Sequence, residues 1–342
     1  RLSGVLNLHV TAHRFGVNEV PARFISVTEL ECFSPAQTTP GVVPFNLTTN
    51  GVDYSTNAIE FAFTAQTVVS SVSPRAGSAM GGSEVLVYGS NFAGSNVTCR
   101  FGDAVVVVAT NVTSSSCVCV TPAGVAGSTV AVEVSTNGVD FTSSGVQYSY
   151  RSVVRVSSVQ PASGPESGST SVTVVGANFV DSSGLLCRFG SAVSVAARWV
   201  SSSKIVCVAP AHEPASVAVE VSVNGVDFTT SARLFTYEGG IVLSTLSPDH
   251  GPSRGATVVT VHGRNFAFTD LLACRFGANI VRAAFITSKS INCTVPRDAL
   301  SASAVLQVSN NQIDWSSTNL TYTFSDLPQV SEVAPASGPT SG

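Results

Sequence analysis

Residues 217–228 have the sequence Val-Ala-Val-Glu-Val-Ser-Val-Asn-Gly-Val-Asp-Phe, which is the clearest indication of the fold class in the chain. Its valines alternate with small or polar residues, which is the two-residue period of a β-strand with one buried face. Asn224-Gly225 follows at once, and this dipeptide is preferred in tight hairpin turns. Residues 228–237 are then expected to form the returning strand, so the stretch predicts an antiparallel hairpin.

The same turn recurs at a fixed interval along the chain. Asn50, Asn137, Asn224 and Asn311 are 87 residues apart, and so are Pro74, Pro161, Pro248 and Pro335. An interval of this length is the size of one small domain. The 342 residues therefore predict a series of similar domains. We expect a partial repeat at 1–67, complete repeats at 68–154, 155–241 and 242–328, and the opening of a further repeat at 329–342.

Each repeat has the pattern of a small β-sandwich. The third contains six or seven short β-rich runs separated by Gly and Pro turns, with no helical period, which is typical of two packed sheets. Two aromatic registers recur: Tyr54, Phe141, Phe228 and Trp315 in one, and Phe63, Tyr150, Tyr237 and Phe324 in the other. Because a large aromatic side chain buries about 150–250 Å², we expect both registers to be core anchors.

The recurring motifs resemble those of the IPT/TIG domain. In the second repeat they are Ser73-Pro74, Gly77, Gly81-Gly82, Gly89-Ser90-Asn91-Phe92, Cys-Arg-Phe-Gly at 99–102, Cys119-Val120-Thr121-Pro122 and Asn-Gly-Val-Asp at 137–140, and they return over 161–227 and 248–314. That family has an immunoglobulin-like fold shared by plexins, Met-type receptors, transcription factors and many-repeat surface proteins such as fibrocystin. The resemblance covers essentially the whole chain and implies an all-β fold of tandem immunoglobulin-like sandwiches.

Six of the eight cysteines fall into matching pairs. These are Cys99 with Cys119, Cys187 with Cys207, and Cys274 with Cys293. The repeated spacing predicts one disulfide in each of three repeats, which stabilises by on the order of 3 kcal/mol and implies an oxidising compartment. Buried free thiols or a metal site are the alternatives, but the Cys-x-x-Cys pairs typical of zinc clusters do not occur.

Two cysteines remain, Cys32 in the first repeat and Cys117 in the second. His13 stands where the other repeats have the first cysteine of the pair, so Cys32 lacks its partner. Our hypothesis is that Cys32 and Cys117 join repeats or neighbouring chains. The alternative is that both are free thiols, or that Cys117 pairs with Cys99.

Five sequons for N-glycosylation occur, at Asn46, Asn96, Asn111, Asn292 and Asn319. Asn46 shares its register with Glu133 and Glu220 and is expected on an outward face, whereas Asn292 adjoins Cys293 and is the least favourable. Charged residues make up only 11% of the chain, against about 25% in a usual soluble domain. We therefore expect sugars or neighbouring chains to cover this surface.

Catalytic and metal-binding patterns are missing from the sequence. It has no nucleophile elbow, phosphate loop, dinucleotide fingerprint or His-Glu-x-x-His motif, so we expect no enzymatic activity and no cofactor. Asp53, Asp140, Asp227 and Asp314 recur, but calcium prefers clustered acids that supply about six to eight oxygens. A structural role beside the turn is favoured for them. His9 and His13 without nearby carboxylates make a poor metal site, so no metal is expected.

Charge and hydropathy exclude two further classes of partner. The net charge is −4 without a basic cluster, which argues against nucleic acid. The longest apolar run, at 104–109, is far shorter than the roughly 20 residues of a membrane-spanning helix. The start without Met, and the opening motif of a repeat at 335–342, indicate a window on a longer array. The alternative is that this tail completes the first repeat of another copy by strand addition.

The leading interpretation is a structural extracellular or cell-surface protein that forms a glycosylated fibre, filament or stalk. Its expected partners are neighbouring copies, associated head to tail or laterally, and covalently attached glycans. The resemblance implies the alternative, a ligand-binding receptor ectodomain segment of plexin or fibrocystin type. Accessory domains of a secreted carbohydrate-active enzyme are a weaker hypothesis, since Trp199 and Trp315 are the only tryptophans.

Overall fold

The structure is a computed structural model in which all described elements are β-strands. It describes residues 2–3, 12–26, 28–56, 59–94, 96–103, 105–191, 193–230, 233–254, 256–297, 302–326 and 329–340. Within these ranges no helix is long and apolar enough to cross a membrane. The prediction of an all-β fold is confirmed.

The described residues of the first two repeats form fifteen strands. Those of the first repeat are β1 (Leu2–Ser3), β2 (Ala12–Phe15), β3 (Asn18–Pro21), β4 (Arg23–Ser26), β5 (Glu29–Glu31), β6 (Gly41–Thr48) and β7 (Ile59–Phe63). Those of the second are β8 (Val68–Ser73), β9 (Ala76–Ser78), β10 (Glu84–Ser90), β11 (Thr98–Phe101), β12 (Val105–Val108), β13 (Ser116–Val120), β14 (Thr129–Ser135) and β15 (Gln147–Arg151).

The third and fourth repeats follow the same order. The third contains β16 (Arg155–Gln160), β17 (Ser163–Pro165), β18 (Ser171–Ala177), β19 (Leu186–Phe189), β20 (Val195–Ala196), β21 (Arg198–Ser201), β22 (Lys204–Val208), β23 (Ser216–Ser222) and β24 (Leu234–Glu238). The fourth contains β25 (Val242–Ser247), β26 (His250–Pro252), β27 (Val258–Arg264), β28 (Ala273–Phe276), β29 (Asn279–Thr287), β30 (Ser290–Thr294), β31 (Ser303–Ser309) and β32 (Leu320–Ser325).

The third repeat is a sandwich of two sheets. One sheet has the strand order β16-β18-β22-β21 and the other β17-β24-β23-β19-β20. The period of two in the sequence places Val219 and Val221 of β23 in the core, while Glu220 between them is only partly buried. Val172 and Val174 of β18 fill the same core from the opposite sheet. The alternation of valines therefore builds the sandwich as predicted.

The disulfides of the second, third and fourth repeats each cross a sandwich. In the third repeat the disulfide joins Cys187 on β19 to Cys207 on β22, with their Cα atoms 6.3 Å apart.

In the fourth repeat the two sheets are continuous, because the nine-residue strand β29 pairs with β28 at one end and with β30 at the other. Eight strands then form one folded sheet in the order β25-β27-β30-β29-β28-β31-β32-β26.

The first two repeats show the same pairings. In the second, β8, β10 and β13 form a sheet, β11 pairs with β12 and with β14, and β9 runs parallel to β15. In the first, β3-β2-β6-β7 and β1-β5-β4 form two sheets. The Arg-Phe motif lies on one equivalent strand in each repeat, namely β2, β11, β19 and β28.

The chain divides into two compact units, and the boundary runs through the second repeat. One unit contains Arg1–Val72, Leu86–Cys119 and Ala131–Gln147, and the other contains Ser73–Val85, Val120–Val130 and Tyr148–Gly342. The third and fourth repeats therefore share a compact unit with the segments of the second repeat that adjoin them.

One aromatic register does not lie in the core, so the prediction that it forms core anchors is wrong. Tyr54, Phe141, Phe228 and Trp315 are each only partly buried. The guanidinium carbons of Arg14, Arg100, Arg188 and Arg275 lie over these four rings at 3.8, 4.4, 4.1 and 4.4 Å from the ring centres. Arg188 also donates to Glu220, at 2.6 Å from Nη2 to Oε2. The register therefore pairs with an arginine on the outer face in all four repeats, and Glu133 and Glu220 add an acid to the pair in the second and third.

The other aromatic register is mostly internal. Tyr150 and Tyr237 are 3% and 2% exposed, whereas Phe63 and Phe324 are partly buried. The two registers differ because the first follows the hairpin turn on the outer face, and the second lies on the returning strand that faces the core.

Candidate functional site

The Asn-x-x-Asp hairpin turn is held in shape by its own side chains. Asn224 Oδ1 accepts hydrogen bonds from the backbone N–H groups of Val226 (3.1 Å) and Asp227 (2.9 Å). Its Nδ2 donates to Asp227 Oδ2 at 2.7 Å. Gly225 has a φ of +82°, a left-handed conformation that glycine adopts without steric cost. The sequence therefore prepares a turn that presents one carboxylate and one amide.

The bond between asparagine and aspartate recurs in the other three turns. Nδ2 of Asn50, Asn137 and Asn311 donates to Asp53, Asp140 and Asp314 at 2.8, 2.8 and 2.7 Å. Their local structure is therefore the same, and any difference in role comes from their surroundings.

In the third repeat this turn contacts the second repeat. Asp227 Oδ2 accepts a hydrogen bond of 2.6 Å from Ser83 Oγ, and Asn224 Nδ2 donates to the carbonyl oxygen of Ala76 at 3.0 Å. Both partners lie in the loop and short strand that open the second repeat. The aspartate predicted as a turn residue thus links two consecutive repeats.

The same joint forms between the third and fourth repeats. Asp314 Oδ2 accepts a hydrogen bond of 2.8 Å from Thr170 Oγ1, and Asn311 Nδ2 donates to Ser163 O at 2.9 Å. Every residue of this joint is 87 positions after its counterpart in the preceding joint. The repeat length therefore conserves the contact between repeats as well as the fold of each repeat.

The side chains that form the joints are more buried than their counterparts in turns that form none. The hydroxyl residues Ser83 and Thr170 are 1% and 0% exposed, and Asn311 is 5% exposed. Asn50 and Asn137, whose turns have no such bond to another repeat among the described residues, are exposed. A buried hydroxyl without a partner costs about 1–3 kcal/mol, so the aspartate has a structural role at each joint.

Glycine makes room for the buried hydroxyl. A Cβ atom at Gly164 would lie 2.2 Å from Thr170 Oγ1, and one at Gly77 would lie 2.4 Å from Ser83 Oγ. Any larger residue would displace the hydroxyl that the next turn needs. At Gly77 a Cβ atom would lie closer still to the hydroxyl of Tyr148, at 2.1 Å, so this glycine leaves room for two hydroxyl groups.

Sequence reasoning placed these aspartates beside a turn and missed the joint. A signal was present, because Ser83, Thr170 and Thr257 form a hydroxyl register with the same spacing of 87 as the aspartates. Nothing in a linear pattern shows that the two registers meet in space, since the bonded residues are 144 positions apart.

The three predicted cysteine pairs are joined as disulfides. They are Cys99–Cys119, Cys187–Cys207 and Cys274–Cys293. Cys99, Cys117 and Cys119 bring three sulfur atoms within 4.8 Å of one another. A metal would require thiolates, and two of these sulfurs are bonded to each other. His9, considered as a metal ligand with His13, lies outside the described residues.

The structure does not suit Cys117 for a bond to another repeat or chain. Its side chain is fully buried, 4.0 Å from the sulfur of Cys99, and burial raises the pKa of its thiol to about 11. It occupies the position held by Ile205 and Ile291 in the next two repeats, both also fully buried. Cys117 therefore acts as a small apolar core residue.

Cys32 is a free, partly buried cysteine in the first repeat. His13, at the position of the missing partner, is fully buried and packs at 5.3 Å between ring centres from Phe45. Burial lowers the pKa of His13, so its imidazole is held neutral. The hypothesis of a bond from Cys32 to another repeat or chain stays a prediction.

The five sequons differ in accessibility. Asn96, Asn111 and Asn319 are exposed, and Asn292 is partly buried with its Oδ1 accepting from Thr260 Oγ1 at 3.0 Å. Asn46 is 8% exposed and its Nδ2 donates to Ser55 O at 2.8 Å, so the expectation of an outward position is wrong. The nitrogen of Asn46 that would carry the glycan is therefore already hydrogen-bonded to the segment that follows the hairpin turn.

Replacing Asp227 by Ala is expected to loosen the joint between the second and third repeats. Ser83 would be left buried without its acceptor, at a cost of about 1–3 kcal/mol. Hydrogen exchange should accelerate at the amides around Ser83 and in the 224–227 turn. Asp140→Ala is the matched control, because Asp140 makes the same bond within its turn but is exposed. Equal changes in both variants would contradict a role of Asp227 in the joint.

Comparison with known proteins places this geometry in a family. The model of the IPT/TIG domain matches residues 67–150, 155–237 and 242–324. Human plexin-A3 is 27% identical over 194 residues, covering 53% of this chain and 10% of plexin-A3. Mouse fibrocystin-L is 26% identical over 280 residues, covering 80% of this chain and 6% of fibrocystin-L. The chain thus spans about a tenth or less of the length of these relatives.

Solved structures give a fold-level likeness. The full extracellular region of plexin A4 aligns with a TM-score of 0.37 and 16% identity, covering 85% of this chain and 31% of that chain. Three tandem matches account for most of the residues, and their recurring Gly-rich openings, disulfides and Asn-x-x-Asp turns follow one pattern. The chain therefore belongs to the IPT/TIG domain family.

Proposed function

We propose that this chain is a non-catalytic spacer in the extracellular part of a receptor-type protein, where its IPT/TIG repeats hold a ligand-binding region at a set distance and orientation. The observation that carries this proposal is the repeated joint, in which Asp227 and Asp314 each bond to a buried hydroxyl of the preceding repeat. Side-chain bonds of this kind restrict rotation between repeats in a way that a flexible linker does not.

The compartment follows from the disulfides. Three disulfides per chain persist only in an oxidising environment, so a secreted or cell-surface location is proposed. The relatives plexin-A3 and fibrocystin-L support a receptor-type protein over a fibre as the context of these repeats.

The spacer proposal predicts that breaking both joints broadens the distance between repeats. Spin labels attached to genetically encoded non-natural amino acids at the exposed positions Val125 and Phe268 would report the distance between the second and fourth repeats by electron spin resonance. Asp227→Ala/Asp314→Ala should widen the distance distribution severalfold, whereas Asp53→Ala/Asp140→Ala should leave it unchanged. A distribution that is already broad in the unaltered chain would refute the spacer.

Glycans on the exposed sequons are part of this proposal. Asn96, Asn111 and Asn319 offer accessible amides, and sugars there would shield a surface of low charge. The mass of the secreted chain should fall on enzymatic deglycosylation, and Asn319→Gln should remove one step of that fall. Asn46→Gln should remove none, and an unchanged mass would exclude N-glycans.

Head-to-tail assembly is a second candidate function, and it retains the fibre expected from the sequence. Thr257 stands 87 residues after Thr170, in position to donate to a further Asn-x-x-Asp turn, and the 137–140 turn is exposed. Contact of these two surfaces between copies would not close on itself and would extend into a filament.

Sedimentation over a range of concentrations tests this assembly. Association that Thr257→Ala and Asp140→Ala each abolish would support it, with the exposed Thr129→Ala as the control. A chain that stays monomeric up to about 100 μM, where even weak contacts register, would rule it out.

A further inference from the structure

The joint between the second and third repeats contains an open cleft that the stacking of repeats does not explain. Its volume is about 780 Å³, within the range of about 300–1,000 Å³ usual for ligand sites. Met80 and Arg151 of the second repeat line it together with Val156, Phe228 and Arg233 of the third. The cleft therefore draws on both repeats and exists only while the joint is formed.

Positive charge is concentrated at this cleft. Arg151, Arg155 and Arg233 all line it, in a chain with 17 basic residues and a net charge of −4. The acid among the described lining residues is Asp227, whose carboxylate already accepts hydrogen bonds from Ser83 and Asn224. The local charge thus remains positive and suits an anionic ligand.

The next joint shows that these arginines are not needed for stacking. Glu238, Val242 and Leu320 stand 87 residues after Arg151, Arg155 and Arg233. There Asn310 Nδ2 donates to Glu238 Oε2 at 3.0 Å, and the cavity is only about 150 Å³. Val223 replaces this asparagine at the earlier joint. The pair Glu238 and Asn310 of the later joint, which we call the clamp, is replaced by Arg151 and Val223 at the earlier joint. The earlier joint therefore has the larger cleft, and its charge is positive instead of negative.

Apolar side chains line much of the rest of the cleft, together with the hydroxyl residues Ser78, Ser152, Ser157, Thr229 and Thr230. Val153, Val156 and Val223 line it, and Met80 beside them is 74% exposed. Guanidinium groups bind carboxylates in paired hydrogen bonds, and exposed apolar side chains favour a ligand with apolar groups of its own. A sulfated sugar would satisfy the arginines and leave the valines and Met80 without contacts.

We propose that this cleft binds an acidic peptide segment of a partner protein. Carboxylates of the peptide pair with Arg151 and Arg155, and an apolar side chain between them packs against Met80 and the valines. This recognition goes beyond the spacer function, because it assigns a ligand to one particular joint of the array.

Fluorescence anisotropy of a labelled peptide of alternating Glu and Leu tests the proposal with the whole chain. We expect a dissociation constant on the order of 10–100 μM that weakens with salt, and no binding of the Lys-Leu counterpart. Arg151→Glu/Arg155→Glu should weaken binding more than tenfold. Arg198→Glu is the matched control, since it makes the same charge change at an exposed position of the third repeat outside the cleft.

A second variant separates loss of the cleft from loss of folding. Arg151→Glu/Val223→Asn recreates the clamp of the next joint, so it should abolish peptide binding while hydrogen exchange in the 224–227 turn stays slow. The proposal is overturned by absence of binding at about 1 mM, well above the expected constant, or by equal weakening in Arg198→Glu. Tighter binding of a heparin-derived oligosaccharide through the same arginines would overturn the peptide as ligand.

Discussion

A single hydrogen bond, from a buried serine or threonine hydroxyl to the aspartate of the next repeat's turn, is the contact on which the stacking of repeats depends. Ser83 with Asp227 and Thr170 with Asp314 make it at 2.6 and 2.8 Å. The neighbouring bond from asparagine to a backbone carbonyl adds a second point of attachment, and two points define an orientation.

The third repeat makes this contact at both ends of its sandwich, through Asp227 at one end and Thr170 at the other. The alternating valines of β23 fill the core and end at the turn, which the asparagine then shapes from within. At the opposite end, Gly164 leaves space for Thr170, and a disulfide from Cys187 to Cys207 holds the two sheets together. The joint is thus a consequence of local turn chemistry and of small residues at a close approach. The cleft beside one joint arises where arginine and valine replace the polar clamp.

Much of this architecture follows from the one-dimensional pattern. Strand alternation, the Asn-Gly turns and the spacing of 87 predicted tandem sandwiches, and the repeated cysteine spacing predicted the three disulfides. The sequence was a poorer guide to burial at positions whose side chain is stable both in the core and on the outer face. Phe228 lies under Arg188 on the outer face, and Asn46 is buried through its bond to Ser55. An aromatic ring is stabilised equally by a core and by a guanidinium, so hydrophobicity alone does not distinguish them.

The fold class, the repeat length, the turns and the cysteine pairs follow from the amino-acid sequence alone, because they depend on residues that are close in the chain or that recur with a fixed period. Which polar groups meet depends instead on the packing of the folded repeats. Ser83 and Asp227 are separated by 144 residues, and Arg151 and Arg233 reach one cleft from two different repeats. Such contacts depend on how whole sandwiches pack against one another, and no local period encodes that packing.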